Sequence, residues 1–412
     1  MNWRAVLFDE KEVPRKVLMK IFLMLPWPDL LRCGRVCRGW KLILSSKAFT
    51  AFHLENQKEH LLVKAGDPLE GKTSTFTLIC KQSLNEVEHY QLLPNPHMSH
   101  SMLVHNTILG SCNGILCLHC HRDLQQRIVL WNPVTNEFKI PTLPENLSTS
   151  TCVFGFGFDP ETNDYKVVAA KEIEVVPLYE FYVYNLSTGC WRRSLNDRGG
   201  GVIKRNMKIK QRGSSCTGNA FSWWIMEGEK DHSRILSFVM ASEKIILTSL
   251  PYGIRSNNNG ELVRYDQSLA VIYNDCNVHT IWVLGELGVE ESWTCKFKIG
   301  RLLPEESTAL WSFNTVAPVI TAFITQHHDG SGSGSGSVHG GGVFLGRERS
   351  TFIPGNQFLF QQNNISEIVF IDLAINKKRK RTSVYKFRDT KAVFQLCSIK
   401  KSLVPLINAA ET

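Results

Sequence analysis

The spacing of apolar residues along the chain changes once, near residue 56. Before that point, apolar residues recur every three or four positions, as on one face of a helix, at Val17, Leu18, Ile21, Phe22 and Leu25. The prolines of LPWP end this first helix. A short helix over PDLLRC and a further apolar stripe follow. The pattern therefore predicts three short helices, the last of which ends at Ser45 and Ser46.

After residue 56 the apolar residues fall in short runs that are rich in Val, Ile, Phe and Tyr and are bounded by Gly, Pro, Asn and Asp. Such runs predict an all-β domain built from hairpins. A unit of strand, polar turn and strand recurs about every fifty residues, as in VLWNPVTNEFKIP and YVYNLSTGCWRRS, which is typical of kelch-like β-propeller blades. The pattern predicts about six blades, at residues 60–93, 107–143, 151–195, 213–250, 262–299 and 318–388.

These two patterns divide the chain into domains, and the predicted fold class is α+β multidomain. The predicted parts are an N-terminal tail (1–11), a helical unit (12–52), a β-propeller (53–406) and a C-terminal tail (407–412). We expect the last apolar run, AVFQLCSIKKSLVPL, to complete the first blade and close the ring, because closure removes exposed sheet edges. The Gly- and Ser-rich residues 329–342 are expected to form a flexible insertion in the last blade.

Composition and charge exclude few classes of function. Lys and Arg outnumber Asp and Glu by 47 to 38, and the formal net charge of +9 neither requires nor excludes an acidic partner or nucleic acid. The first residues lack the apolar segment of a secretory signal, and no run of about eighteen apolar residues occurs, so we expect neither export nor a membrane span. The twelve cysteines are then expected to be reduced, and the cytoplasm is the expected location.

One short motif, CLHCH at residues 117–121, matches a haem-attachment pattern. Haem attachment requires export, and a zinc site would need a second pair of ligands that the sequence does not contain at suitable spacing. Cys117, His119 and His121 instead alternate along a β-run and share one of its faces. We therefore expect no metal, haem or other cofactor.

Two basic runs allow alternative interpretations. The run Lys377, Lys378, Arg379, Lys380 and Arg381 has the composition of a nuclear-import signal, and equally that of a solvated hairpin between two strands. The protein is accordingly expected in the cytoplasm, and also in the nucleus if the run directs import. Residues 204–212, KRNMKIKQR, are expected to form a solvated loop, with contact to an acidic substrate as the alternative.

The helical unit resembles an F-box. The matching residues are Pro14, Ile21, Phe22, Leu25, Pro26, Asp29, Leu30, Leu31, Arg32, Val36, Cys37, Arg38, Trp40, Ile43 and Phe49. They occur in the order and at the spacing of the motif. The chain departs from it at Val13, where Leu is usual, and at Arg15, where an acidic residue is common, and neither change removes an apolar anchor.

The remainder of the chain resembles the F-box-associated domain of plant F-box proteins, including those of the S-locus type. The segments that carry this resemblance are GSCNGILCL (110–118), LWNPVTNEFKIP (130–141), FGFGFDPETNDYKVV (154–168), VYNLSTGCWR (183–192), ESWTCKFKI (291–299) and KKSLVPL (400–406). Together with the F-box, they cover nearly the whole chain. Residues 200–260 and the Gly/Ser insertion match least well.

The resemblance implies a non-catalytic substrate receptor of an SCF-type ubiquitin ligase. The F-box would dock on a Skp-type adaptor, which links it to a cullin and a RING subunit, and the propeller would capture a protein substrate whose identity the sequence does not give. The apolar residues agree with this, since a helical unit of this size is too small to bury them alone and the helices of a partner can cover them. The residues assigned to adaptor binding are Pro14, Ile21, Phe22, Leu25, Pro26, Leu30, Leu31, Val36, Cys37 and Trp40.

Two alternatives stay open at this point. The apolar face of the helices can pack on the β domain of the same chain instead of a partner. The propeller can also be an enzyme or a glycan-binding module, because a propeller fold does not determine a function.

Overall fold

The computed structural model of the chain describes most of the helical unit and of the β domain. The described residues are 13–66, 73–80, 86–91, 104, 106–122, 125–148, 152–173, 179–194, 207–217, 219–227, 232–252, 254, 260–265, 267–275, 278–299, 307–311, 319–325, 365–372, 381–386 and 393–406. The basic residues 377–380 and the Gly/Ser insertion 329–342 lie outside them.

The N-terminal unit contains four helices rather than the predicted three. They are α1 (Arg15–Met24), α2 (Trp27–Cys33), α3 (Arg38–Leu44) and α4 (Lys47–Asn56). The prediction failed at Ser45 and Ser46, which separate two helices instead of ending the unit. The Ser46 hydroxyl accepts a hydrogen bond from the backbone N–H of Phe49 and so caps the start of α4.

The β domain forms six four-stranded antiparallel sheets in the described part of the chain. The first is built by β1 (Glu59–Gly66), β2 (Thr75–Cys80), β3 (Glu86–Gln91) and β24 (Val393–Lys400). The second contains β4 (Asn106–Cys112), β5 (Ile115–Arg122), β6 (Gln125–Asn132) and β7 (Glu137–Lys139), and a short helix α5 (Glu145–Ser148) follows it. The third contains β8 (Cys152–Asp159), β9 (Asp164–Glu172), β10 (Tyr179–Asn185) and β11 (Cys190–Arg193).

The remaining three sheets follow in chain order. The fourth contains β12 (Met207–Thr217), β13 (Ala220–Glu227), β14 (His232–Val239) and β15 (Ile245–Ser249). The fifth contains β16 (Gly260–Tyr265), β17 (Ser268–Asp275), β18 (Val278–Leu284) and β19 (Trp293–Ile299), with a 3-10 turn at Glu290–Ser292. The sixth contains β20 (Ser307–Trp311), β21 (Val319–Thr325), β22 (Ile365–Asp372) and β23 (Arg381–Lys386). The predicted all-β propeller of about six blades is confirmed.

The last strand returns to the first sheet, as the sequence predicts. β24 pairs antiparallel with β1 over its whole length, from Lys400 opposite Glu59 to Val393 opposite Gly66. The strands β24, β4, β8, β12 and β16 each form one edge of their sheet and lie next to one another in that order. This is the arrangement of inner strands in a propeller.

The expectation of a solvated loop at residues 204–212 was wrong for the described part, because β12 begins at Met207. Met207 and Ile209 are buried and Lys208 is exposed, which is the alternation of a strand with two different faces. The strand was not predicted because the many basic residues of this segment are typical of a surface loop.

The core lies between neighbouring sheets, and the glycines of FGFGF make room for it. A Cβ atom on Gly155 would lie 2.6 Å from the Phe221 and Trp223 rings of the next sheet. Both rings are fully buried, and the Trp223 indole N–H donates a hydrogen bond of 3.1 Å to the Phe154 carbonyl. The absence of a side chain at this position therefore lets aromatic rings of the fourth sheet reach the backbone of β8.

Candidate docking surface of the N-terminal helices

The inner face of the four helices forms a small core. Its buried members are Phe22, Leu30, Ile43, Leu44 and Phe49 from the helices, together with Val134 and Leu403 from the β domain. The Phe22 ring lies at its centre, with edge-on contacts to the rings of Trp40 at 5.1 Å and Phe49 at 6.3 Å between centroids. The helices therefore do pack on the propeller of the same chain, and this inner face supplies the apolar part of that contact.

A second apolar face of α1 stays uncovered. Val17, Ile21 and Met24 are spaced by four and three residues and so lie along one side of the helix. Their exposed fractions are 44%, 46% and 84%. Leu18 and Phe22 take part in the inner core on the other side of α1. The α1 helix is thus apolar on two faces, and the described part of the chain covers only one of them.

The predicted adaptor-binding residues divide between these two faces. Phe22 and Leu30 are each 1% exposed and support the surface from inside. The half-buried members are Leu25, Leu31 and Trp40. The exposed members are Pro14, Ile21, Pro26, Val36 and Cys37. Adaptor binding stays a prediction for all ten residues. Phe22 and Leu30 also pack inside the chain and would support the surface that the other residues present.

Exposed apolar residues also occur where sequence reasoning did not look for them. Met24 was not singled out, although it follows Val17 and Ile21 at helical spacing, which is the signal that could have found it. Leu42 on α3 and Phe52 on α4 are 56% and 50% exposed. Leu42 precedes Ile43 and Leu44 in an unbroken apolar run, so the pattern does not show which of the three side chains faces solvent. Phe52 belongs to the helix that was not predicted.

The exposed surface of the helices is strongly basic. Between residues 13 and 47 the chain has a single carboxylate, Asp29, which pairs with Arg32 at 2.8 Å. The basic side chains of this stretch are all exposed; they are Arg15, Lys16, Lys20, Arg32, Arg35, Arg38, Lys41 and Lys47. Lys16 and Lys20 lie one turn apart on the side of α1 that borders Ile21. The uncovered apolar face is therefore surrounded by positive charge.

The β domain contains a buried network of paired charges between its third and fourth sheets. Lys166 on β9 contacts Asp159 at 2.8 Å and Glu243 of the fourth sheet at 3.6 Å. Glu243 in turn pairs with Arg192 and accepts a hydrogen bond of 3.0 Å from the Ser194 hydroxyl. Burial alone would raise the pKa of Asp159, but hydrogen bonds from Lys166 and Thr162 lower it below its ordinary value. This network joins the third and fourth sheets.

The CLHCH motif lies on strand β5, within the core. Cys117, His119 and Cys120 are each at most 2% exposed. Burial raises the pKa of the Cys120 thiol to about 12, so it stays protonated. The side chain of His121 is not described. Over the ranges that the structure describes, no group of three or more His, Cys, Asp or Glu side chains could hold a metal ion.

Of the basic run 377–381, the structure describes only Arg381, which begins β23. The import signal therefore stays a prediction. No described helix is long and apolar enough to span a membrane.

Comparison with known proteins identifies two families along the chain. An F-box-like family model matches residues 11–49, and a model of the F-box associated beta propeller domain matches residues 72–328. The second match covers more than half of the chain. The first match covers α1 to α3 and the start of α4, and the second covers β2 to β21.

Similar proteins of known name include several F-box proteins of Arabidopsis thaliana. F-box protein At3g07870 of Arabidopsis thaliana is 25% identical over 331 residues, which cover 72% of this chain and 74% of the relative. F-box/kelch-repeat protein At3g23880 of the same plant is 25% identical over 70% of this chain and 79% of its own length. F-box protein CPR1, also of Arabidopsis thaliana, is 23% identical over 75% of this chain and 76% of its own length.

Proposed function

Because the chain belongs to the plant F-box proteins that carry an F-box-associated β-propeller domain, we propose that it is the substrate-recognition subunit of an SCF-type ubiquitin ligase. In this assembly the helices bind a Skp-type adaptor, which links the chain to a cullin and a RING subunit. The propeller binds a protein substrate. The chain itself supplies no catalytic group; it holds a substrate lysine close to the ubiquitin carrier, which is a proximity effect.

The observation that carries the proposal is the uncovered apolar face of α1. The propeller covers the inner core through Val134 and Leu403, whereas Val17, Ile21 and Met24 stay in solvent. Complete burial of one such side chain against a partner is worth about 1.5–3 kcal/mol. The exposed Val36 and the half-buried Trp40 add further apolar area, and a large aromatic residue often contributes strongly to an interface.

The basic surface around this face specifies the chemistry of the adaptor. A partner that places acidic side chains opposite Lys16, Lys20 and Arg35 would gain association rate and orientation from charge complementarity. The same charges would oppose a basic partner. We therefore propose an adaptor whose docking surface combines an apolar groove with an acidic rim.

The proposal also assigns the substrate to the far end of the propeller. The end of β24, the start of β1 and the turn that contains Val134 all lie at the end that carries the helices. Because neighbouring strands are antiparallel, the connections between the second and third strands of each sheet leave from the opposite end. A substrate bound there does not compete with the adaptor for space.

Binding of purified full-length chain to a purified plant Skp-type adaptor tests the first half of the proposal. Ile21→Glu places a charge in the uncovered face, and we expect it to weaken binding at least tenfold. Tyr252→Glu is the matched control, because Tyr252 is 96% exposed in the connection after β15, at the end of the propeller away from the helices. Equal affinities of the two variants, or no binding by the wild type where other F-box proteins bind, would contradict the proposal.

Substrate capture needs a separate experiment. The intact chain, purified by affinity from its own tissue with the proteasome inhibited, should bring with it the adaptor, the cullin and ubiquitylated proteins. The Ile21→Glu variant should retain the substrate and lose adaptor and cullin. A preparation in which the substrate disappears together with the adaptor would argue against separate binding sites.

A further inference from the structure

We propose that residues 400–406 are a positioning element that locks the helices to the propeller and so fixes the orientation of the docking surface relative to the substrate end. The proposal rests on the proposed function for its consequence, but its geometry stands by itself. The segment follows the last strand, β24, and runs between the helices and the second sheet.

Side chains of this segment point alternately to the two parts. Leu403 is 7% exposed and belongs to the core of the helices, together with Phe22 and Phe49. Val404 and Leu406 instead pack into the core between the second and third sheets. One short stretch of chain is therefore a member of both cores.

Polar contacts fix the segment to the propeller. Asn132, a fully buried residue at the end of β6, donates hydrogen bonds from its amide nitrogen to the carbonyls of Ser402 at 3.1 Å and Val404 at 2.9 Å. The backbone N–H of Leu406 donates to the Glu137 carboxylate at 2.9 Å. Gly114 has a positive φ of 81°, and a Cβ atom there would collide with Ser402, so the turn before β5 also fits closely against the segment.

The same Asn132 side chain shapes the propeller's contribution to the helix core. Its amide oxygen accepts hydrogen bonds from the backbone N–H groups of Val134 at 3.0 Å and Thr135 at 3.4 Å. These bonds hold the turn that presents Val134 to the helices. Both propeller contacts of the helix core, Val134 and Leu403, thus depend on one amide group.

Contacts on the other side reach two different helices. The Lys401 ammonium lies 5.9 Å from the centre of the Trp27 ring at the start of α2, within cation–π distance. The Lys400 ammonium donates to the Leu54 carbonyl of α4 at 3.4 Å. The covalent connection from α4 to β1 has only residues 57 and 58, and rotation about these two residues would still reorient the helices. Residues 400–406 add the second attachment that removes this freedom.

The distribution of distances between the helices and the propeller tests the proposal. Fluorophores attached through non-canonical amino acids at the exposed positions Glu55 and Tyr252 report it by single-molecule energy transfer in the full-length chain. We expect one narrow distribution for the wild type and a broadened one for Leu403→Ala. Val153→Ala is the matched control, because it shortens a partly buried side chain of the propeller core on β8, outside residues 400–406, and its distribution should stay narrow.

A second variant distinguishes loss of positioning from loss of folding. Lys401→Glu removes the contact with Trp27 without altering a core and should broaden the distribution while the melting temperature stays within about 2 °C. If the distance distributions of both Leu403→Ala and Lys401→Glu are as narrow as that of Val153→Ala, the proposal is wrong.

The reconstituted ligase gives the functional readout. Leu403→Ala should keep its affinity for the adaptor within about twofold and lose several-fold in the rate of substrate ubiquitylation. If the wild type fails to bind any adaptor, the proposed function fails, whereas the distance distributions still decide on the positioning element. An unchanged ubiquitylation rate with a broadened distribution would remove the functional consequence.

Discussion

At the scale of single residues, neighbours in the sequence have opposite roles. Ile21 and Phe22 are both apolar members of the F-box motif, and the motif does not distinguish their roles. In the structure Phe22 is the centre of the helix core and Ile21 is 46% exposed. The helical period predicted that such residues lie on a face, but which side of α1 the propeller covers depends on Val134 and Leu403, far away in the sequence.

This difference predicts separate effects on stability and binding. Phe22→Ala should lower the free energy of unfolding of the free chain by about 3–5 kcal/mol, because it leaves a cavity among Trp40 and Phe49. Ile21→Glu should change it by no more than about 0.5 kcal/mol, because the side chain is on the surface. Urea unfolding without any partner measures both. Similar losses for the two variants would show that α1 has no uncovered face.

At the scale of helices and strands, the sequence predicted the type of most elements and misplaced some of their ends. The strands were visible because apolar runs alternate with turn residues, and β24 was correctly expected to return to β1. The helix α4 was missed because Ser45 and Ser46 look like a terminus, although Ser46 is also an N-cap. The start of β12 was missed because Lys208 and its basic neighbours resemble a surface loop.

The buried ion network between the third and fourth sheets belongs to the same scale and could not be predicted. Glu243 is far from Asp159 and Lys166 in the sequence, and charged residues are normally exposed. Their pairing depends on how two blades meet. Asp159 also holds its own turn, because it accepts hydrogen bonds from the backbone of Glu161 and from Thr162.

The lowered pKa of Asp159 gives a prediction about acid stability. The pKa of the Asp159 carboxyl is lower in the folded state than its ordinary value of 3.8. The ionised carboxylate therefore stabilises the fold fully above the ordinary pKa, and this stabilisation is lost as the pH falls through the lower pKa of the folded state. Asp159→Asn should cost about 3–5 kcal/mol at pH 7, because the buried Lys166 loses its closest charged partner. The difference from the wild type should shrink below about pH 4.

Urea unfolding between pH 7 and pH 3 measures this difference. Glu161→Gln is the control, since it removes an exposed carboxylate from the same turn and should leave stability unchanged at every pH. A difference between Asp159→Asn and wild type that stays constant down to pH 3 would show that the carboxylate is not stabilised by its partners.

At the scale of the whole molecule, the sequence predicted the architecture more reliably than the surface. The repeat period of about fifty residues gave the number of sheets, and six are found in the described part of the chain. A net charge of +9 is small for a chain of 412 residues, but that total does not show where the charges lie. The structure shows that all eight basic side chains between residues 13 and 47 are exposed beside one carboxylate, so the charge is concentrated on the helices.

This charge distribution predicts salt-dependent association with an acidic adaptor. Lys16→Glu combined with Lys20→Glu should lower the association rate several-fold at low salt, and the effect should fade near 1 M salt, where the screening length is about 3 Å. Lys296→Glu combined with Lys298→Glu changes the net charge equally at exposed positions of β19 and should have little effect. Stopped-flow mixing with the adaptor measures the rates, and equal losses in the two double variants would exclude local steering.

The pairing of β24 with β1 has a consequence for synthesis on the ribosome. The helices and β1 leave the exit tunnel first. The two parts that complete them are translated after every other strand: β24 completes the sheet of β1, and Leu403 completes the core of the helices. A nascent or prematurely terminated chain therefore carries an F-box with an open core next to an unpaired strand edge. Chaperones and degradation pathways recognise such features, so truncated receptors should be removed before they occupy the adaptor.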